Sequence, residues 1–190
     1  MKRCPWSENG SDLLKEYHDR EWGVEVHDDI KHFELLVLES NQSGLSWLTV
    51  LRKRTNFRQA YAGFNPAIVA AYGEKDVDRL LQNPGIIRNR QKINAAINNA
   101  AGFLDIQHEF GTFDCYIWSF VGGKPVINAW DRQADVPAHS VLSGTISADL
   151  KRRGFKFIGT TTIYAHLQAI GLVNDHLTQC FRYKELINRP

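Results

Sequence analysis

HFELLVLESNQSGLSWLTVLRKR, residues 32–54, is the stretch whose reading decides the fold. Phe33, Leu35, Leu36, Val37 and Leu38 cover most of a helix circumference, which predicts a helix enclosed by other elements rather than lying on the surface. Glu39 closes that run. It stands three and four residues after Leu36 and Leu35, on the same apolar side. Asn41, Gln42, Ser43 and Gly44 then break the pattern. A second amphipathic run follows from Leu45, carrying Trp47, Leu48 and Leu51 and ending in Arg52-Lys53-Arg54. A carboxylate at the end of an enclosed helix, a polar bend, an aromatic and a basic tail read together as the floor and rim of a pocket. The competing reading is a glutamate that snorkels to water at a helix end, which is the commoner state of a lone Glu.

The rest of the chain sets the context. Its 190 residues, 43% hydrophobic, suit one domain, or two small helical lobes sharing one core. A net charge of +2 gives no bulk argument for nucleic acid, so any such case must come from clustered charge. The 3 cysteines, Cys4, Cys115 and Cys180, are too sparse for a disulfide framework and fit a reducing compartment. The opening residues lack the apolar core of a signal peptide, and no window has the apolar length to span a bilayer. The expectation is a soluble, cytoplasmic protein, by default a monomer.

Patterning predicts helices through almost the whole length. One starts at Ser11 or Asp12 and runs to about Glu21, carrying Tyr17 and His18. Asp28 or Asp29 caps the central helix, and a helix from Ser46 continues to about Tyr61. Short helices follow over 67–72 and 75–82, then a long one through Ala100 to Leu104. Residues 113–121 (FDCYIWSFV) fit strand or helix and are assigned helix from their flanks. Residues 126–136 read as extended or loop. A helix over 147–153, capped by Ser143 or Thr145, ends at Gly154. A long helix spans 161–172, and a short one 175–181. The fold class is therefore all-α, a compact helical bundle.

Two features carry chemistry. Asn83-Pro84-Gly85-Ile86-Ile87, followed by Arg88-Asn89-Arg90-Gln91-Lys92, lies between helices. Backbone N–H groups freed at such a turn can hold a phosphate, and Arg88, Arg90 and Lys92 add charge beside it. This resembles a helix–hairpin–helix, which grips one DNA strand without reading sequence; the alternative is an ordinary helix corner with solvated basic residues. The second feature is a set of soft ligands near the termini. His176 and Cys180 fall on one face if their segment is helical, and Cys4 and His18 form a looser pair. Two sulfurs and two imidazoles are the ligand set of a closed tetrahedral zinc site. Free thiols and ordinary histidines remain the alternative, with His27 and His32 as rival ligands.

Together these residues resemble a known family. Arg3-Cys4-x-Trp6, Tyr17-His18-Asp19-x-Glu21-Trp22-Gly23-Val24, Leu38-Glu39-x-x-Gln42-x-Gly44-Leu45-Ser46-Trp47, Gly85-Ile86-Ile87-Arg88, Lys151-x-Arg153-Gly154-Phe155-Lys156-Phe157-Ile158-Gly159 and Gly171-Leu172-Val173-Asn174-Asp175-His176 follow one another in the order of the 3-methyladenine DNA glycosylase I family. The resemblance covers almost the whole chain. It implies an all-helical glycosylase of the helix–hairpin–helix superfamily, with structural zinc held at Cys4, His18, His176 and Cys180. It also implies a base pocket of Trp6, Tyr17, Trp22, Glu39 and Trp47, with Glu39 catalytic. The position three residues before Tyr17, often aromatic in the family, is Leu14, which would make one pocket wall aliphatic.

The implied activity is release of 3-methyladenine from alkylated double-stranded DNA. A base inside the duplex must first be flipped out, and Leu45 is then either a wedge in the vacated gap or a core leucine at a helix start. The DNA-contacting set is expected to be Gln42, Gly44, Leu45, Gly85, Arg88, Arg90 and Lys92, with Lys151, Arg152, Arg153 and Lys156 as further backbone contacts. Asp105 lies beyond the hairpin roughly where many related glycosylases carry a catalytic Asp. It lacks their Gly-Pro turn and is read as a decoy. The stretch from Gly85 to Arg90 has no Lys for a Schiff base. That predicts a monofunctional enzyme that leaves an abasic site. A non-catalytic, zinc-stabilised DNA-binding domain would need the hairpin but give Glu39 no role. A metabolic enzyme binding a small cation would have no use for Arg88 or Arg90.

Overall fold

A computed structural model describes residues 1–9 and 11–188. Among them ten α-helices account for most of the architecture: α1 (Asp12–Arg20), α2 (Asp29–Gln42), α3 (Trp47–Ala60), α4 (Pro66–Ala70), α5 (Glu74–Gln82), α6 (Arg90–Phe110), α7 (Phe113–Ser119), α8 (Val141–Arg152), α9 (Thr160–Ala169) and α10 (Phe181–Ile187). The mostly helical class expected from the sequence is the observed one. Strand is confined to one two-residue parallel pair, β1 (Val126–Ile127) and β2 (Val173–Asn174), in register Val126 to Val173.

The apolar circumference of α2 has the predicted consequence. This helix packs against α3, α6, α7 and α9, and all ten residues from His32 to Asn41 are buried. Asp28 caps its start by accepting from the Lys31 N–H at 2.7 Å. At its other end Ser40 and Asn41 donate back to the carbonyls of Leu36 and Val37, which loads polar groups onto the last turn. Ser46 then caps α3.

Several boundaries differ from the sequence reading, among them the helix expected over 161–172, which ends at Ala169. The helix expected over 147–153 begins at Val141, because Ser140 and Ser143 form a reciprocal capping box ahead of it. The long helix α6 runs past Leu104 to Phe110, so Asp105 is an exposed residue inside a helix. The segment 175–179 is not helical. Val173 and Asn174 pair with β1, and the chain turns back before α10 starts with Cys180 as its N-cap. Gly171 makes that crossing possible. At φ +71° a Cβ there would lie 2.3 Å from the Val24 backbone carbon, a spacing no side chain tolerates.

Candidate active site and its ligand cluster

Four aromatic rings from separate elements meet at the end of α2. Trp6 stands on a 3₁₀ turn (Pro5–Glu8), Tyr17 on α1, Trp22 just after α1, and Trp47 at the start of α3. Trp6 packs edge-on against Trp22 at 5.1 Å between centroids, and Tyr17 lies 5.3 Å from Trp47. With Glu39 and Gln42 they line a cavity of about 310 Å³. Its remaining lining comes from Thr161, Tyr164, Ala165 and Gln168 of α9 and from Gln133, Val136, Pro137 and Ala138 of the preceding loop. Leu14 does not form a wall. It packs behind the rings with Tyr17 and Leu51.

Glu39 differs sharply from the other buried glutamate of α2. Glu34 is 3% exposed but holds Arg54 at 2.7 Å and Arg58 at 2.8 Å, and these guanidiniums outweigh burial and keep its carboxyl below the usual range. The expected basic rim at Arg54 is therefore an internal ion pair, shared with Glu21. Glu39 is 5% exposed, and its Oε2 has no hydrogen-bond partner. Burial alone pushes its carboxyl up to about 8. Tyr17 Oη and Trp47 Nε1 are likewise buried without partners. Burial, then the charge of Glu39, raises the Tyr17 hydroxyl well above its ordinary value. Unpaired polar groups of this kind in one cavity suit a planar, polar, positively charged ligand. The snorkelling alternative for Glu39 does not hold.

The bend after α2 is a tight turn. Ser43 at φ −46°, ψ 117° and Gly44 at φ +79° turn the chain, and the Leu45 N–H donates to the Gln42 carbonyl at 2.7 Å. Leu45 emerges 39% exposed, so it is not a core leucine. Lys92 holds this bend. Rather than facing solvent beside the hairpin, it is buried, and its ammonium donates to the carbonyls of Asn41 at 2.8 Å and Ser43 at 2.7 Å. Arg90 is exposed at the start of α6, where it pairs with Glu74 at 3.1 Å and Asp78 at 2.9 Å of α5. Arg88 is exposed on the turn. Gly85 sits where a Cβ would meet the Asn56 side chain at 2.8 Å. The turn carbonyl of Pro84 accepts from Lys53 at 2.7 Å. Farther off, Arg152 and Arg153 pair with Asp149, and Arg153 also with Glu109.

Directly behind the aromatic wall, Cys4, His18, His176 and Cys180 bring one ligand atom each to within 4.8 Å of one another, all four buried. Cys180 Sγ lies 3.5 Å from His18 Nε2 and 3.6 Å from His176 Nδ1, and Cys4 Sγ lies 3.7 Å from His176 Nδ1. The other ring nitrogens are spoken for. His18 Nδ1 meets Asp19 at 2.8 Å and His176 Nε2 meets the Trp22 carbonyl at 3.0 Å, which turns the remaining nitrogens toward the sulfurs. Arg3 grips Asp19 through two nitrogens. His176 packs on Trp22 at 4.5 Å and His18 on Trp6 at 5.4 Å, so cluster and cavity share a wall. The rival ligands lie elsewhere: His27 and His32 both approach Asp114.

The α9 residues of the cavity escaped the sequence reading although a signal existed. Thr161, Tyr164, Ala165 and Gln168 recur at i, i+3, i+4 and i+7, the spacing of one helix face. The 133–138 loop carries no periodic signal.

The chain that carries this arrangement has relatives of known class. A family model described as methyladenine glycosylase matches residues 6–183. The chain belongs to the 3-methyladenine DNA glycosylase I family. DNA-3-methyladenine glycosylase 1 from Escherichia coli (strain K12) is 45% identical over 183 residues, covering 96% of this chain and 97% of its own. A crystal structure of 3-methyladenine DNA glycosylase I superposes with a TM-score of 0.91 at 47% identity, covering 95% of this chain and 98% of that one. A structure of the Staphylococcus aureus enzyme, solved for the structural basis of 3-methyladenine recognition, gives the same TM-score of 0.91 at 37% identity, covering 95% and 96%.

Proposed function

We propose that this protein acts in base-excision repair, hydrolysing the N-glycosidic bond of 3-methyladenine in alkylated double-stranded DNA and leaving an abasic site. The observation that carries this reading is Glu39, a buried carboxyl with no cation beside it in an aromatic-walled cavity. Methylation at N3 makes adenine a cation and a good leaving group. The base is flipped out of the stack, because no pocket reaches inside a duplex. Trp6, Tyr17, Trp22 and Trp47 surround it, and a cation against an aromatic face gains roughly 0.5–2 kcal/mol. The cation draws Glu39 into its ionised form, and the resulting charge-assisted pair is unavailable to neutral adenine. Water then attacks the anomeric carbon and releases a proton to solvent, the C–N bond breaks, and its electron pair neutralises the departing base.

The remaining roles follow the geometry. Gln42, Gly44 and Leu45 form the projecting bend, with Leu45 as the wedge that fills the vacated stack. Gly85 and Arg88 form the tip of a helix–hairpin–helix and face a phosphate. Arg90 braces that hairpin, and Lys92 ties it to the wedge. Cys4, His18, His176 and Cys180 hold a structural zinc ion. Zn–S near 2.3 Å and Zn–N near 2.0–2.1 Å at tetrahedral angles set sulfur and nitrogen roughly 3.6 Å apart, which matches the 3.5, 3.6 and 3.7 Å separations found here. Zinc here ties residues 4–18 to 176–180, and four protein ligands leave no place for a reacting water. Residues 1–190 work as one domain, and the enzyme as a monomer.

The test is incubation with methylated duplex DNA, followed by chromatography of free bases and gel analysis of the strand. The expected result is free 3-methyladenine and an abasic strand without nicks. Protein-dependent nicking contradicts the monofunctional reading, and duplex binding without base release contradicts the activity.

A further inference from the structure

The α9 side of the cavity has an anchor of its own. Asp175, 2% exposed, accepts from Asn128 Nδ2 at 2.7 Å, Trp130 Nε1 at 2.7 Å, the Tyr164 hydroxyl at 2.6 Å and Gln168 Nε2 at 2.7 Å. Four donors fill the acceptor capacity of its two carboxylate oxygens. Two of them, Tyr164 and Gln168, line the cavity, and Trp130 leads into the loop that supplies Gln133 to Ala138. For Gln168 the consequence is chemical. A carboxylate oxygen only accepts, so the amide must turn its nitrogen to Asp175 and its oxygen away from it. The Tyr164 hydroxyl hydrogen is committed to the same carboxylate. The Tyr164 oxygen is thus left with acceptor lone pairs alone, and Gln168 turns its carbonyl oxygen and one remaining N–H away from Asp175.

We infer that Asp175 is a positioning residue and Gln168 a specificity residue: the fixed amide presents an acceptor to the bound base and selects a purine carrying an exocyclic amino group over one carrying an oxo group at the same place. The inference rests on the base-excision reading above. An adenine-type ring brings an N–H to that acceptor. A guanine- or hypoxanthine-type ring brings a second acceptor, which leaves two buried lone pairs opposed.

Gln168→Met keeps the side-chain length and removes the oxygen. Two ratios are read in parent and variant: 3-methyladenine to 3-methylguanine released from methylated duplex DNA, and binding of free 3-methyladenine to free 3-methylhypoxanthine followed by tryptophan fluorescence. The parent should prefer the amino base in both. In Gln168→Met the amino base should lose about tenfold while the oxo base changes less than about twofold, so the preference collapses. Asp175→Asn frees the amide to rotate and should lose the same preference while keeping the parent's metal content. A preference unchanged in Gln168→Met, whether both bases weaken together or neither does, overturns the inference and leaves the excision activity standing. A parent that releases no 3-methyladenine fails the excision reading, and the inference falls with it.

Discussion

Glu39 is buried in a state that makes stability depend on pH. Its carboxyl is pushed up to about 8 by burial, against an ordinary 4.5. The folded protein thus holds a proton that the unfolded chain releases. That stabilisation is complete below the unfolded value and is lost as pH rises through about 8, at roughly 1.4 kcal/mol per unit of pKa difference. Glu39→Gln should therefore be more stable than the parent at alkaline pH, with the gap narrowing toward pH 5; thermal melts across that range measure it. The catalytic consequence has the opposite sign. The kcat/KM of the parent should rise with pH through about 8, as the free enzyme ionises Glu39. Both carboxylates of α2 were visible in the sequence, but which one was paired was not. Arg54 and Arg58 reach Glu34 from α3, and helix packing sets that match, not spacing along α2.

At the scale of elements, the bend after α2 is held from below and free above. Lys92 fixes the carbonyls of Asn41 and Ser43, while Leu45 projects into solvent. An exposed leucine contributes little to the fold. Leu45→Ala should leave the melting temperature within about 2 °C of the parent yet lower base release from duplex DNA, and lower it less from single strands, where no gap opens. The helices were legible from apolar periodicity and caps wherever both lay in one segment, as in α2 and α3. The reading failed at 175–179, where the helix-like spacing of His176 and Cys180 comes from a turn. Tertiary ties decide that turn: the β1–β2 pair, Gly171 against Val24, and the four bonds to Asp175. Lys92 was misplaced for a similar reason, since a basic residue beside a hairpin does not reveal the carbonyls it will find across the core.

Over the whole molecule, residues 4–18 and 176–180 meet behind the aromatic wall, and Trp6 and Trp22 lean on His18 and His176. Metal and pocket should therefore fail together. Removal of the proposed zinc by a chelator should lower the melting temperature by about 10 °C or more and weaken binding of free 3-methyladenine, with mass-spectrometric metal content falling in step. The DNA surface is tested through salt. Arg88→Ala should reduce the slope of log K against log[salt] by about one, the signature of one lost phosphate contact. Arg90→Ala should change that slope less, because its guanidinium is already paired with Glu74 and Asp78. The ligand set was legible as a resemblance, and its convergence was not, because Cys4 and Cys180 are brought together only by the folded chain.

The most direct measurement is release of free bases from methylated duplex DNA by the parent and Glu39→Gln side by side, resolved by chromatography. A buried, unpaired carboxylate that selects a cationic base predicts selective release of 3-methyladenine by the parent and a fall of about 10- to 100-fold in the variant, the worth of a charge-assisted hydrogen bond. Equal release by the two proteins would contradict the account, since Glu39 would then have no part in choosing or freeing the base.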